Sequence, residues 1–249
     1  MDHSLPISLA AEPVFMLGSF AITNALLTNV ILAIILLSML YLFPQRTSYI
    51  PEQLQNFCEL VYEQLLNLVE SVIDNKKVIS DVLPIVATFF VYIVTSNWLG
   101  LVPGIGSIGI YEMHDGHNTF IPLLRGSNSD LNQTIVLGFI SIFAIQWYGF
   151  KYQGLQYFKK FFNLSNPIYT FVGLLELLSE IVKIFSFAFR LYGNIFAGEV
   201  LLIVVSGLSP FLAPVPFLGL ELFTGLIQAL VFTMLTVVFL RTATESHVH

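Results

Sequence analysis

The sequence predicts an all-α integral membrane protein of five transmembrane helices plus one amphipathic surface helix, with the last two helices long, tilted and antiparallel. Three observations carry this. Of 249 residues, 56% are hydrophobic and only 10% are charged, where an ordinary soluble domain has about a quarter charged. The mean hydropathy is +0.81. The apolar residues also gather into five runs, each close to or above the roughly 20 residues that cross a bilayer as helix. Residues 1–249 therefore read as a single integral membrane domain, with spans at about 21–43, 82–103, 131–150, 167–206 and 216–240 and the amphipathic helix at about 51–77.

The net charge of −6 says less than where the charges stand. A single cysteine, Cys58, excludes an intramolecular disulfide and any cysteine-based metal cluster. On the amphipathic helix it reads as a packing residue. The opening "MDHSLPISLAAEP" is acidic rather than basic, so no cleavable signal peptide is expected.

The first span, "ITNALLTNVILAIILLSMLYLF", lies in a stretch without charge between Glu12 and Arg46 and stops at Pro44. Residues 51–77 behave differently. Leu54, Phe57, Val61, Leu65, Leu68 and Val72 recur at three- and four-residue steps with glutamates on the other face. That pattern fits a helix lying on a surface or against a partner. The second span is "VLPIVATFFVYIVTSNWLGLVP", with Trp98 near its end as an interface anchor. A polar loop follows, containing "YEMHDGHN" and "RGSNSD". It has the residue types of a metal site in "YEMHDGH", although an exposed polar loop explains them without a metal. Asp130 suits a cap for the third span, with channel lining as its alternative.

After the basic stretch "KYQGLQYFKKF", Asn166-Pro167 reads as a helix start. The pattern then runs unbroken for roughly 40 residues, or about 60 Å at 1.5 Å per residue. Such a helix must tilt steeply or leave the bilayer. Pro210, Pro214 and Pro216 make the turn into the last helix, and His247 and His249 end the chain as a solvated tail. This arrangement puts Arg46, Lys76, Lys77, Lys151, Lys159, Lys160 and Arg241 on one side and only Arg125 on the other. The bias places the N-terminus outside and the C-terminus in the cytoplasm.

Ionisable groups within spans are costly and are functional candidates by default. Glu176, Lys183 and Arg190 stand seven residues apart and share nearly one face of the fourth span. Glu199 points to roughly the opposite face from Arg190, about 13 Å further along. Glu221 and Gln228, again seven apart, share a face of the fifth span. An antiparallel return puts Glu199 and Glu221 at one depth and Arg190 and Gln228 at another. Two carboxylates in one polar cavity tend to share a proton, although a structural hydrogen-bonded pair would also satisfy the pattern. Glu180 and Lys183 can pair locally as neighbours on one helix. A guanidinium stays charged and cannot relay a proton. A path through Glu199 and Glu221 that ends at Arg190 is thus no through-channel, and needs a mobile carboxylate supplied from elsewhere.

"RLYGNIFAGE" resembles the signature of the a subunit of F-type ATP synthases. "ISLAAEPVF" with "ITNALL", "TSNWLGLVPG", "SDLNQT" and "LIQALVFTMLTVVFL" are similar to that family as well, over nearly the whole chain. The resemblance implies that Arg190 is the essential stator arginine and Gln228 its neighbour on the last helix. Asn194 and Glu199 then fall on polar positions of an outer half-channel, with Glu221 where other members carry histidine or glutamate. Glu176 and Lys183 match polar positions of a possible inner half-channel. The implied function is a stator with two offset proton half-channels and an arginine barrier. The implied partners are the c-ring of the Fo sector, the peripheral-stalk b subunits, the lipid bilayer and the whole synthase. Such a chain is non-catalytic by itself, and no phosphate-binding G-x-x-x-x-G-K-[ST] loop occurs in it. No cofactor, metal or nucleic-acid partner is expected, and a bacterial plasma membrane is the expected location. The competing readings are a self-contained secondary cation/proton transporter, which would show repeated halves and broken helices, and a membrane enzyme using "YEMHDGH".

Overall fold

A computed structural model describes residues 12–17, 20–42, 53–102, 104–105, 108–114, 117–159, 161, 167–209 and 212–245. Helices dominate: α1 Asn24–Leu42, α2 Gln53–Glu70, α3 Lys76–Gly100, α4 Leu131–Gln153, α5 Leu155–Lys159, α6 Pro167–Leu208 and α7 Pro214–Thr244. Five of them (α1, α3, α4, α6 and α7) are long and apolar enough to cross a membrane. The chain is an all-α integral, multi-pass membrane protein. Its final helices have 42 and 31 residues, with Pro167 and Pro214 at their first positions, where no backbone N–H is needed.

Local chemistry sets the helix ends. Thr23 Oγ1 accepts the Leu26 N–H at the start of α1. Asp130 Oδ1 accepts the Asn132 N–H at the start of α4, so the cap reading of Asp130 holds. Between α2 and α3 the chain turns at Ser71–Val72, and Asn75 Oδ1 accepts the Lys77 N–H. This Asn cap starts α3 at Lys76, earlier than the apolar run alone suggests, while α2 ends before it at Glu70. In α2 the buried positions are Leu65 and Val69, while Leu54 and Phe57 are exposed. Gly154 takes the left-handed conformation (φ 61°) that ends α4 and turns the chain into α5.

Two short antiparallel hairpins interrupt the helical plan. Strand β1, Pro13–Leu17, pairs with β2, Phe20–Thr23, and β3, Gly109–His114, pairs with β4, His117–Pro122. The second hairpin contains the "YEMHDGH" stretch that reads as polar loop. Asp115 and Gly116 within it, and His247 and His249 at the end, lie outside the described residues.

The described chain forms two compact units. The first draws on Met1–Thr47, Val91–Gln133 and Leu191–Gln228, the second on Ser48–Phe90, Thr134–Arg190 and Ala229–His249. The second has an aromatic core: Phe187 packs on Phe232 with centroids 4.8 Å apart and on Phe239 at 5.8 Å, and Phe89 meets Phe232 at 5.6 Å. Helices α4 and α6 approach closely at Gly138, where a Cβ would lie 2.8 Å from the Ile184 carbonyl oxygen. Small residues allow that contact in membrane helices. The Ser141 and Thr236 hydroxyls meet at 2.9 Å between α4 and α7.

Candidate functional site

In the first unit, polar side chains converge on one cavity of about 590 Å³. Glu199 from α6 and Glu221 from α7 both line it, together with Ser96 from α3 and Arg125 and Asn128 from the loop before α4. The two carboxylates that the spacing places at one depth therefore meet the same space. Glu221 is 5% exposed, and its Oε2 has no hydrogen-bond partner among the described residues. Its position depends on a glycine: a Cβ on Gly198 would lie 2.5 Å from Glu221 Oε1. Asn194, with Glu221 and Thr224, lines a smaller adjoining cavity of about 190 Å³.

Glu199 is not left to Glu221 alone. Arg125 Nε donates to its Oε1 at 3.2 Å, and Nη2 donates to its Oε2 at 3.4 Å. The fork covers both carboxylate oxygens, the geometry in which arginine and carboxylate interact most strongly. Sequence spacing missed this contact, because 74 positions separate the partners. Arg125 reads from the sequence only as the lone basic residue of its side.

The loop that carries Arg125 is held in place by polar side chains. Its backbone N–H donates to Thr28 Oγ1 at 3.2 Å, and Asn24 Nδ2 reaches the Pro122 carbonyl at 3.4 Å. A 3-10 turn follows at Ser127–Ser129, with all three residues buried. Asn97 on α3 joins this turn to α7: its Oδ1 accepts from Asn128 Nδ2 at 2.7 Å, and its Nδ2 donates to the Gly225 carbonyl at 2.9 Å. Gly225 permits this, since a Cβ there would lie 3.1 Å from Asn97 Cβ. Trp98 also reaches α7, its indole N–H donating to the Leu222 carbonyl at 3.1 Å. Buried oxygens on Ser96 and Asn128 lack partners among the described residues. Polar groups buried in this way suit a cavity that holds water.

Gln228 is buried, and its Nε2 has no partner among the described residues. Arg190, in the second unit, is exposed on α6. So are Ser186 one turn before it and Gly193 and Asn194 one turn after.

The second unit has its own polar cluster. Lys183 Nζ lies 2.7 Å from Glu180 Oε1 and 4.6 Å from the centre of the Phe239 ring. Glu176 is partly buried on the same helix and accepts the Ser179 hydroxyl at its carbonyl. Tyr157 of α5 lies across Gly149 and donates to Gln146 Oε1 at 2.8 Å. Burial, with Glu180 and Glu176 nearby, pushes its phenol up from the usual 10 to about 12. At the helix ends, Asp81 is bound by Lys151 and by the Tyr152 hydroxyl, and Gln153 donates to the Ala243 and Glu245 carbonyls near the end of α7.

Together these features define a class: a polytopic helical membrane protein that keeps ionisable side chains on its spans, two of them lining a cavity in the first unit. Comparison with known proteins narrows the class to one family. Residues 26–241 match the family described as ATP synthase A chain. The chain is also 32% identical over 224 residues to the ATP synthase subunit a of Gloeobacter violaceus, covering 90% of this chain and 85% of that one. The chain belongs to the a-subunit family of the F-type ATP synthases.

Proposed function

We propose that this chain is the ion-translocating stator subunit of a rotary F-type ATP synthase. It is a component of the Fo sector rather than a catalytic subunit, and proton flow through it drives ring rotation. The observation that carries this reading is the pair of carboxylates, buried Glu221 and partly exposed Glu199, lining one cavity between otherwise apolar membrane helices. A proton entering this outer half-channel is held by Glu199 and Glu221, with Asn194 alongside. It then passes to a carboxylate of the c-ring, the partner that moves. Exit follows a second, offset half-channel beginning at Glu176, with Lys183 held nearby by Glu180.

Arg190 is the barrier between the two routes. A guanidinium never delivers a proton, so protons cross only on the ring. Its exposure on α6 supports this role, because a charge on the outer face of a membrane helix is costly without a partner there. A ring carboxylate that has just lost its proton is such a partner, and Gln228 completes the polar path on the last helix. The driving force is about 2.3 kcal/mol per elementary charge per 100 mV, so the ion pair at Arg190 must stay weak enough to break at each step. The peripheral-stalk b subunits hold the chain against rotation. The N-terminus faces outside and the C-terminus the cytoplasm, in a bacterial plasma membrane.

The test is ATP-driven proton pumping in inverted vesicles carrying equal amounts of assembled complex. Arg190→Ala should abolish coupled pumping and leave a passive proton leak. Arg190→Lys should assemble but support little or no synthesis, since an ammonium lacks the planar fork and loses its proton when desolvated. Coupled pumping in Arg190→Ala would sink the barrier role.

A further inference from the structure

In the first unit, α7 buries a stripe made of Glu221, Gly225 and Gln228, while Leu222, Phe223 and Ile227 are exposed. No large apolar side chain on this stripe can key the helix against its neighbours. Apolar burial would do little here in any case, because lipid tails are as apolar as leucine. The aromatic anchors of α7, Phe232 and Phe239, begin about three turns beyond Glu221. Beside the cavity, the rotation of α7 about its axis is therefore set by something else.

Two donors on α3 can set it. Trp98 Nε1 donates to the Leu222 carbonyl at 3.1 Å, and Asn97 Nδ2 donates to the Gly225 carbonyl at 2.9 Å. The two acceptors are one turn apart on α7, and a carbonyl has a second lone pair for the helix's own N–H. Two bonds to one turn resist rotation in a way that one bond cannot. Trp98 keeps its ring 41% exposed, yet its only polar atom reaches α7. Asn97 is buried, and its other amide atom, Oδ1, accepts from Asn128 in the turn that follows Arg125. Arg125 in turn holds Glu199. One side chain thus connects the supports of both carboxylates. We infer that Asn97 and Trp98 are positioning residues for proton transfer, setting the rotation of the first turns of α7 so that Glu221 faces the cavity that Glu199 lines. This rests on the proton-translocating reading above. At a side-chain radius of about 5–6 Å, a rotation of about 20° moves the Glu221 carboxyl by about 2 Å. Proton transfer needs heavy atoms within about 2.6–3.2 Å of each other or one water between them, so such a slip is large.

The experiment is ATP-driven proton pumping in inverted vesicles, expressed per assembled complex and measured in H2O and in D2O. Thermal dissociation of the complex is recorded alongside. Asn97→Ala should lower the rate per complex by at least about tenfold, since a misplacement of about 1 Å can cost about a hundredfold. Trp98→Phe keeps the ring but loses one hydrogen bond, and should lower the rate by about two- to tenfold. Gly225→Ala should slow pumping from the other side of the same contact, because its methyl would stand 3.1 Å from Asn97 Cβ. In each variant the ratio of rates in H2O and D2O should rise above wild type, as proton transfer becomes the slow step. A brace that serves packing alone gives the opposite split: less complex or a lower dissociation temperature, with wild-type rate and isotope ratio in whatever assembles. That result would overturn the positioning role. Should Asn97→Ala fail to assemble, Trp98→Phe decides alone: a slower rate with a raised isotope ratio supports the assignment, and a wild-type value of either removes it. Unchanged pumping with Glu199 and Glu221 both replaced by glutamine would instead undermine the proton reading. With that variant impaired and Trp98→Phe normal, only the positioning role falls.

Discussion

Two glutamates on α6 meet a cation, Glu199 in the first unit and Glu180 in the second, and the two pairs are built differently. Glu180 finds Lys183 one turn along its own helix, and the lysine rests against Phe239 within an aromatic core. Glu199 finds Arg125 in a loop distant in sequence, beside a cavity lined by further polar groups. The local pair neutralises charge within its own helix. The distant pair draws a loop, α1, α3 and α7 into one polar network, and the cavity depends on all of them. An ion pair of similar length can thus be a packing device in one place and part of a wall in another.

The largest expected effect separates the two. Glu199→Gln together with Glu221→Gln should lower proton flux by at least about tenfold while the complex still assembles, the scale usual when a positioned proton-transfer group is lost. Restoring neutrality does not help there: Arg125→Gln with Glu199→Gln should pump no better than Glu199→Gln alone. The second unit should respond in the opposite sense. Lys183→Met leaves Glu180 uncompensated and should destabilise the complex by about 3 kcal/mol or less, since neither partner is fully buried. Adding Glu180→Gln should recover much of that loss. A double-mutant cycle on thermal dissociation reads the difference, and no recovery would mean that the pair is not self-contained.

Next in size is Gly198→Ala, which changes no charge but places a methyl against the Glu221 carboxylate. Flux should drop severalfold with little change in stability, because the flexible end of Glu221 can swing aside. An unchanged rate would show that the position of this carboxylate is not critical. The smallest effect belongs to Tyr157. Its raised phenol pKa means that the folded chain retains a proton which the unfolded chain releases above the usual 10. Stability is therefore unaffected below pH 10 and falls between there and about 12. Tyr157→Phe should lose about 1 kcal/mol at neutral pH through the missing bond to Gln146, yet show a flatter decline across that alkaline window. A decline as steep as wild type would assign the alkaline transition to other groups.

The sequence is most legible where structure repeats along one helix. Apolar runs locate all five membrane helices, the prolines mark where α6 and α7 begin, and the seven-residue step from Glu221 to Gln228 finds two residues that are both buried. The β3–β4 hairpin was legible in principle, since Asp115-Gly116 between alternating residues is a two-residue hairpin signal. Its polar composition hides it within an apparent loop. Arg125, Asn97 and Asn128 were not legible. Nothing at fixed spacing links an arginine in a polar loop to a glutamate far along the chain, and an asparagine in an apolar span has no preferred partner until the fold brings one. Those contacts are tertiary, and the spacing of residues carries no trace of them.

Asn97 also bears on the order in which the molecule is made. Its amide donates to a carbonyl of α7, and so does the indole of Trp98 beside it. Both residues enter the membrane well before α7 is synthesised. Until the last helix arrives, two donors on α3 lack their acceptors, and the turn that Asn97 holds through Asn128 rests on an unfinished support. Completion of the cavity thus waits for α7. A chain that stops short of residue 214 lacks both acceptors, so this side of the wall cannot close, although Thr28 and Asn24 of α1 still hold the loop before α4. In this sense α7 closes a wall that α3 alone can only prepare.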